Sequence, residues 1–432
     1  MKKALGLLLV LILAFSFIAV SCKKNASQTT TTAQTPASTQ APAATATTEK
    51  KTEPVKTTKV GFVVINDEND LGYTWNFMNG MNAAVEKLNK DGYAVELIVS
   101  RGHLEDSTVT DANRELAAEG CAVIFNNSYG FEQFMAPVAD EFKNVQFVSL
   151  TNCGSQLDGR DNTYNAFAAI YDGRYVAGVA AGMKLNQMIS EGKITADKAI
   201  VGYVGAYSFA EVISGMSGYY LGIKSVCPSA TMLVQFVGSW GDPTLEAAAA
   251  EALISQGAVM ISQHSDTTTP ATTAAKYGVF HTGYNTDMTA QAPTASIISC
   301  RINWEPYFYT FIKNVIDGVK NPSDYCGTMA NGEVLVTALN EAIAAPGTKE
   351  AIAQAEADII SGKIQVFDTS KFTVNGGEKL THMFAVDTDA DFAADKCEAV
   401  WDGVFHESYP EFQSAPYFTA VLDGITWLNV AY

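Results

Sequence analysis

At 432 residues the chain exceeds one ordinary domain and suits two lobes of middling size. With 47% hydrophobic and 17% charged residues it can bury a large core, which excludes global disorder. A formal net charge of −18 leaves no positive field to neutralise phosphates, which excludes nucleic acid as a partner.

The amino terminus opens with the basic Met1-Lys2-Lys3, runs through apolar Ala4 to Val20, and reaches Ser21-Cys22. That is the pattern of a bacterial signal peptide, with an apolar core short of the ~20 residues of a comfortable membrane span. Ala19 and Ser21 before Cys22 resemble a lipobox, although a larger aliphatic residue is usual where Ala19 stands. Residues 1–22 are therefore expected to be a leader that leaves an acylated Cys22. Residues 23–58, rich in Thr, Ala, Ser, Gln and Pro, have almost nothing to pack and are expected to form a flexible tether. No later stretch reaches the length of an apolar span, so the body is expected to be soluble.

The body begins with Lys59-Val60-Gly61-Phe62-Val63-Val64-Ile65, a continuous apolar run typical of a parallel strand covered on both faces. Helical spacing follows over Trp75 to Asn89, then a strand over Tyr93 to Val99 and a helix over His103 to Glu119. Ala122 to Asn126 reads as a strand, Phe131 to Phe142 as a helix and Gln146 to Leu150 as a strand. The alternation then restarts. Helices are predicted over Tyr171 to Met188, Glu211 to Ser225, Leu245 to Gln256, Thr268 to Tyr277 and Tyr307 to Val319. Between them, Ala199 to Gly205, Thr231 to Val237, Val259 to Gln263, Phe280 to Tyr284 and Ser296 to Ile302 read as strands. Glu350 to Ser361 is a later helix, and the remaining tail has no clear pattern. Two similar β/α halves imply two doubly wound, mostly parallel sheets with a cleft between them.

Seven cysteines occur; without Cys22 the other six allow 15 disulfide connectivities, among which sequence cannot choose. Cys121 and Cys300, each beside a buried-looking strand, equally suit the role of small hydrophobes. Neither CxxC nor a His/Cys pair at ligand spacing occurs, so no metal or other cofactor is expected.

In such sheets ligands sit in the loops after the strands. Those loops bring Asp70, Tyr73 and Trp75, then Asn127 and Tyr129, then Phe209, Trp240 and Asp266, then Asn285, Asp287 and Trp304. Aromatics beside short hydrogen-bonding groups suit a flat heterocycle, stacked on its faces and read along its edge. A highly charged ligand would instead want clustered arginines. Asp67, Asn69 and Gly72 hint at a calcium loop, but Leu71 and Met78 occupy ligand positions. His264, Ser265 and Asp266 lack the arrangement of a hydrolase triad, and the first loop lacks a phosphate-cradling glycine motif.

Several of these loops carry a recognisable signature. Asp70-Leu71-Gly72-Tyr73-Thr74-Trp75, Asn165-Ala166, Tyr171-Asp172-Gly173-Arg174-Tyr175, Trp240-Gly241-Asp242-Pro243, Gln263-His264-Ser265-Asp266 and Ile302-Asn303-Trp304-Glu305-Pro306-Tyr307 resemble the BMP (basic membrane protein) family. These are substrate-binding lipoproteins of bacterial ABC transporters, related to purine-nucleoside receptors. The resemblance runs from about Lys59 to Asp317 and returns near Asp423 to Tyr432. It implies a two-lobed α/β fold of the periplasmic-binding-protein-like type I class, with no catalysis. It assigns 59–165 and about 290–325 to the first lobe, and 166–289 and about 326–432 to the second. It also implies a purine stacked between aromatics, with Trp75 as a stacking residue and Asp287 near the acidic residue that meets the ligand. Asn285 and Cys300-Arg301 depart from the Asp and Lys that hold ribose in nucleoside-binding members, and Gly72-Tyr73-Thr74-Trp75 resembles the subgroup that favours a free base such as adenine.

The leading expectation is a monomeric, lipid-anchored receptor at the cell membrane, facing the periplasm or exterior, that serves a permease. Riboflavin is the alternative ligand, and a surface receptor or adhesin without transport is the alternative role. An enzyme would need a base and nucleophile pair that these loops do not supply. Replacing Cys22 with Ser should abolish lipid labelling in cells; unchanged labelling would refute the lipobox.

Overall fold

The first apolar run forms strand β1 (Thr58–Val63), in which Val60, Phe62 and Val63 are wholly buried because both faces of the sheet are covered. The computed structural model describes residues 56–151, 159–388, 394–408 and 412–432. The leader, Cys22, most of the tether and Cys153 lie outside them.

The first half continues with α1 (Tyr73–Lys90), β2 (Val95–Ser100), α2 (Ser107–Ala118), β3 (Cys121–Asn126), α3 (Glu132–Glu141) and β4 (Gln146–Leu150). Two acidic side chains start its helices. Asp106 accepts the Thr108 N–H, and Asp70 accepts three N–H groups at the start of α1. A further strand, β5 (Thr163–Ala168), escapes sequence reading because Thr163 and Asn165 break its apolar run. All of its residues are nevertheless buried, and Asn165 Nδ2 donates to Asp324 Oδ1 and Ser414 Oγ.

The chain then crosses to a second sheet through α4 (Ile170–Ser190) and builds β6 (Ile200–Gly205), α5 (Ala210–Val226) and β7 (Thr231–Phe236). Next come α6 (Pro243–Ser255), β8 (Met260–His264), α7 (Thr269–Tyr277), β9 (Phe280–Tyr284) and β10 (Ser296–Ile302). It returns with α8 (Glu305–Asp317), packed on α1, and with β11 (Asp324–Gly327), then recrosses to β12 (Val334–Val336) and α9 (Thr348–Ile360).

The first sheet runs β11-β5-β4-β3-β1-β2, entirely parallel. The second runs β12-β10-β9-β8-β6-β7-β17, where β17 (Ile425–Trp427) pairs parallel to β7 and β12 antiparallel to β10. Two parallel-sheet cores are thus the architecture that the β/α alternation implied. The boundary expected near residue 290 needs correction: β10 pairs with β9 in the second sheet, so the chain returns only after Ile302.

The pattern-poor tail forms two small antiparallel pairs, β13 (Phe384–Val386) with β14 (Lys396–Glu398) and β15 (Val400–Trp401) with β16 (Val404–Phe405). Phe367, Phe372, Phe405 and Phe418 anchor it to the main core. The five described cysteines are unbridged, and Cys121, Cys227 and Cys300 are buried as small hydrophobes. No described helix is long and apolar enough to cross a membrane.

Helices α4 and α5 meet backbone to backbone. A Cβ on Gly222 would lie 2.0 Å from the Tyr175 carbonyl oxygen, and one on Gly178 2.1 Å from that of Tyr219. Gly222→Ala should therefore destabilise the fold by about 3 kcal/mol, read from urea unfolding. A loss below about 0.5 kcal/mol would show that the helices part at little cost.

Candidate functional site

The polar residues of both sheets collect at the carboxyl ends of their strands, where the two halves face each other. Tyr73 enters there as the first residue of α1. Asp70 sets its direction: Oδ1 accepts the Gly72 and Trp75 N–H groups at 3.0 Å, and Oδ2 accepts that of Thr74 at 2.7 Å. The Tyr73 hydroxyl lies 2.7 Å from both the Asn127 carbonyl and Thr151 Oγ1, linking α1 to the ends of β3 and β4.

From the second half, Phe209 caps α5 and Glu211 stands in its first turn. Trp240 follows β7, His264 ends β8, and Asp266 comes two residues later. Together with Tyr73, Ser128, Tyr129 and Thr151, the residues Glu211, Trp240, His264 and Asp266 enclose one small cavity. Its volume is about 10 Å³, roughly the space of one water molecule. The halves touch closely here. A Cβ on Gly72 would fall 1.8 Å from the Asp266 carbonyl oxygen, so only glycine permits this approach.

Aromatic rings bridge the halves. Tyr129 from the first stacks on Phe209 from the second, centroids 5.2 Å apart and planes 17° from parallel. Tyr207 stacks on the same Phe209 at 5.1 Å and 13°, and Trp240 meets Tyr207 edge-on at 5.1 Å.

Behind the rings lies a buried polar group. His264 Nε2 is 2.7 Å from Glu211 Oε1, and burial lowers the His264 pKa, so the ring is neutral and donates from Nε2. The Tyr284 hydroxyl donates to the same Glu211 oxygen at 3.4 Å. Arg174, 1% exposed, gives Nη1 to the Gln263 carbonyl at 2.7 Å and lies 3.6 Å from the Tyr284 ring centroid. Burial pushes the Asp266 carboxyl well above the usual range, and the nearby Asp70, Glu246, Glu211 and Glu105 add to the rise. Asn127 Nδ2, Trp240 Nε1, His264 Nδ1 and Asn285 Nδ2 are buried without hydrogen-bond partners among the described residues. Such orphaned groups are costly unless something pairs with them.

Of the residues nominated from sequence, Tyr73, Tyr129, Trp240 and Asp266 line the cavity, and Phe209 stacks on Tyr129. Asn127 adjoins it, with Oδ1 accepting the Ile65 N–H at 3.0 Å. Asp70 caps the start of α1 and lines not this cavity but another, with Asn66, Arg101 and Thr267. The others stand apart. Trp75 is half-buried on α1 and does not line the cavity, so Tyr73 is the aromatic that α1 offers. Trp304 is core, stacked on Phe77 at 4.5 Å and 22°. Asp287 is exposed, its carboxylate accepting the Thr289 N–H at 2.9 Å. Asn285 is buried in a left-handed turn with φ 65° after β9, and Arg301 lies along β10 away from the lining. Sequence reading missed the roles of Ser128, Thr151, Glu211 and His264. All four lay in or beside strand-end loops, but the Glu211–His264 pairing spans 53 residues.

The raised Asp266 pKa carries a definite sign. A carboxyl raised in the fold contributes stability fully below its unfolded pKa of about 3.9 and loses it as pH climbs through the folded value. Asp266→Asn cannot ionise, so its thermal stability should fall less steeply from pH 5 to 8, by up to about 1.4 kcal/mol per pH unit. An unchanged slope would mean that Asp266 is ionised in the folded protein.

Comparison with known proteins agrees with this architecture. A structure from Aeropyrum pernix K1, an ABC transporter solute-binding protein, superposes with a TM-score of 0.59 at 16% identity, over 72% of this chain and 93% of its own. One from Conexibacter woesei, likewise a solute-binding protein, gives 0.55 at 19% identity over 71% and 97%. Both share the fold. A purine-binding protein of Brucella abortus is 31% identical over 309 residues, which is 72% of this chain and 83% of that protein. The family model for Bmp, "ABC transporter substrate-binding protein PnrA-like", matches residues 57–369. The chain therefore belongs to the Bmp family of ABC transporter substrate-binding proteins, a family of solute binders and not of enzymes.

Proposed function

We propose that the chain captures a purine base, adenine-like, between its two halves and delivers it to the permease of an ABC transporter. The observation that carries this reading is the parallel stack of Tyr129 on Phe209, one ring from each half, 5.2 Å apart. Parting the two rings would let a flat base stack on both faces at once. The edge chemistry fits as well. Trp240 Nε1 is a donor unpaired among the described residues, and Glu211 and Asp266 offer carboxyl oxygens to the amino and ring N–H groups of a base. Five acidic groups at or near the cavity, Asp266, Glu211, Asp70, Glu246 and Glu105, disfavour phosphorylated ligands.

The cavity is smaller than any base, so uptake requires the halves to separate and close again around the ligand. The relative from Brucella abortus, a purine-binding protein, supports the choice of ligand. Cys22 supports a lipid anchor that holds a monomeric receptor at the membrane, outside the cell or in the periplasm.

A thermal-shift panel on the protein with adenine, hypoxanthine, guanine, their nucleosides and riboflavin tests the reading. A true ligand at 100 times its dissociation constant should add about 2.7 kcal/mol. Phe209→Ala should weaken the preferred base by about 1–3 kcal/mol, whereas Trp75→Ala should leave it nearly unchanged. Response to nucleosides alone would require ribose recognition, and response to riboflavin alone would overturn the purine reading.

A further inference from the structure

A second cavity lies at the start of α4, where the chain crosses between the sheets. Tyr171 and Asp172 from the first turn of α4 form one wall, and Phe367, Phe405, Glu407 and Ser408 of the C-terminal segment form the other. Its volume is about 190 Å³, and none of the cleft residues lines it.

The chemistry of this cavity is one-sided. No lysine or arginine among the described residues lines it, and burial holds His406, the basic side chain in its wall, below its ordinary pKa. The half-buried Asp172 carboxylate has no hydrogen-bond or ion-pair partner among the described residues. Glu407, 6% exposed, accepts the Ser408, Tyr417 and Phe418 N–H groups at 3.1, 2.8 and 3.0 Å, which fixes a second carboxylate in place. Burial pushes both carboxyls up to about 7, the response of acids that lack a nearby cation. Independently, Ser408 is 5% exposed in a left-handed turn with φ 53°, and its hydroxyl is buried with no partner among the described residues. Aromatic rings complete the walls, with Tyr171 and Phe367 5.3 Å apart and Phe367 edge-on to Phe405 at 5.9 Å.

Carboxylates, an orphaned hydroxyl and aromatic walls together favour a cation with some apolar surface. A bare metal ion fits poorly, because no group of three His, Cys, Asp or Glu among the described residues converges to hold one. We propose that this cavity is a second ligand site, for a small organic ammonium ion, separate from the purine cleft. Its occupant would sit against the start of α4. The same C-terminal segment also reaches the first sheet, where the Ser414 N–H donates to Asp324 Oδ2 at 2.7 Å. A bound cation would therefore brace the crossing between the two halves.

Calorimetric titration of the full chain with choline, tetramethylammonium and ethanolamine tests this, with 3,3-dimethylbutan-1-ol as the neutral counterpart of choline. At least one cation should bind saturably and the neutral alcohol should not. Asp172→Asn should weaken the cation at least tenfold. Ser408→Ala should weaken it several-fold, and it serves as the deciding variant should Asp172→Asn fail to fold. Phe209→Ala should leave cation binding unchanged. Equal binding of the alcohol, undiminished binding in both Asp172→Asn and Ser408→Ala, loss in Phe209→Ala, or no saturable cation would each overturn the proposal.

Discussion

Strands covered on both faces send the polar chemistry of the cleft to their carboxyl ends. That constraint organises the molecule. The inner strands of both sheets bury most of their side chains, so the groups able to meet a ligand in the cleft gather where the strands stop. With the strand ends of the two sheets turned toward each other, residues as distant in sequence as Tyr73 and Asp266 share one cavity. The contact between Gly72 and the Asp266 carbonyl marks how tightly the halves meet, since a single methyl group there would collide.

The electrostatics of the cleft follow from its burial. A neutral His264 donates to Glu211, and the carboxyl of Asp266 is held toward its protonated form by its surroundings. Arg174 supplies fixed positive charge behind them, its guanidinium lying over Tyr284 and bound to the Gln263 carbonyl. Such an arrangement presents donors and acceptors but little net positive charge. The proposed neutral, planar ligand rich in hydrogen-bonding edges matches that arrangement.

The C-terminal segment ties the halves together. It adds β17 to the second sheet, meets the first sheet through Ser414, and packs Phe367 on Tyr171 of α4. Its last residues also reach the cleft. The Ser208 N–H donates to the Ala431 carbonyl at 2.7 Å, and the Asn429 side chain exchanges two hydrogen bonds of 2.8 Å with the Phe236 backbone. These contacts hold the loops that carry Phe209 and Trp240.

Sequence alone determined the β/α alternation, the two-half organisation and the loops in which a ligand site had to lie. Those features are local: continuous apolar runs make covered strands, and helical spacing with acidic caps makes the helices. Tertiary structure decided which loop residues face the cleft. Asp70 turns inward to cap α1, which aims Tyr73 at the cavity and leaves Trp75 to one side. Trp304 looked like a loop aromatic, but α8 packs on α1 and draws it against Phe77. Asp287 occupied a plausible loop, yet its carboxylate turns back on Thr289. The place of β10 and the pairing of Glu211 with His264 were equally beyond local reading, because both depend on contacts between distant segments. Side-chain direction in a loop is set by the partners that the fold supplies, and those partners are not neighbours in sequence.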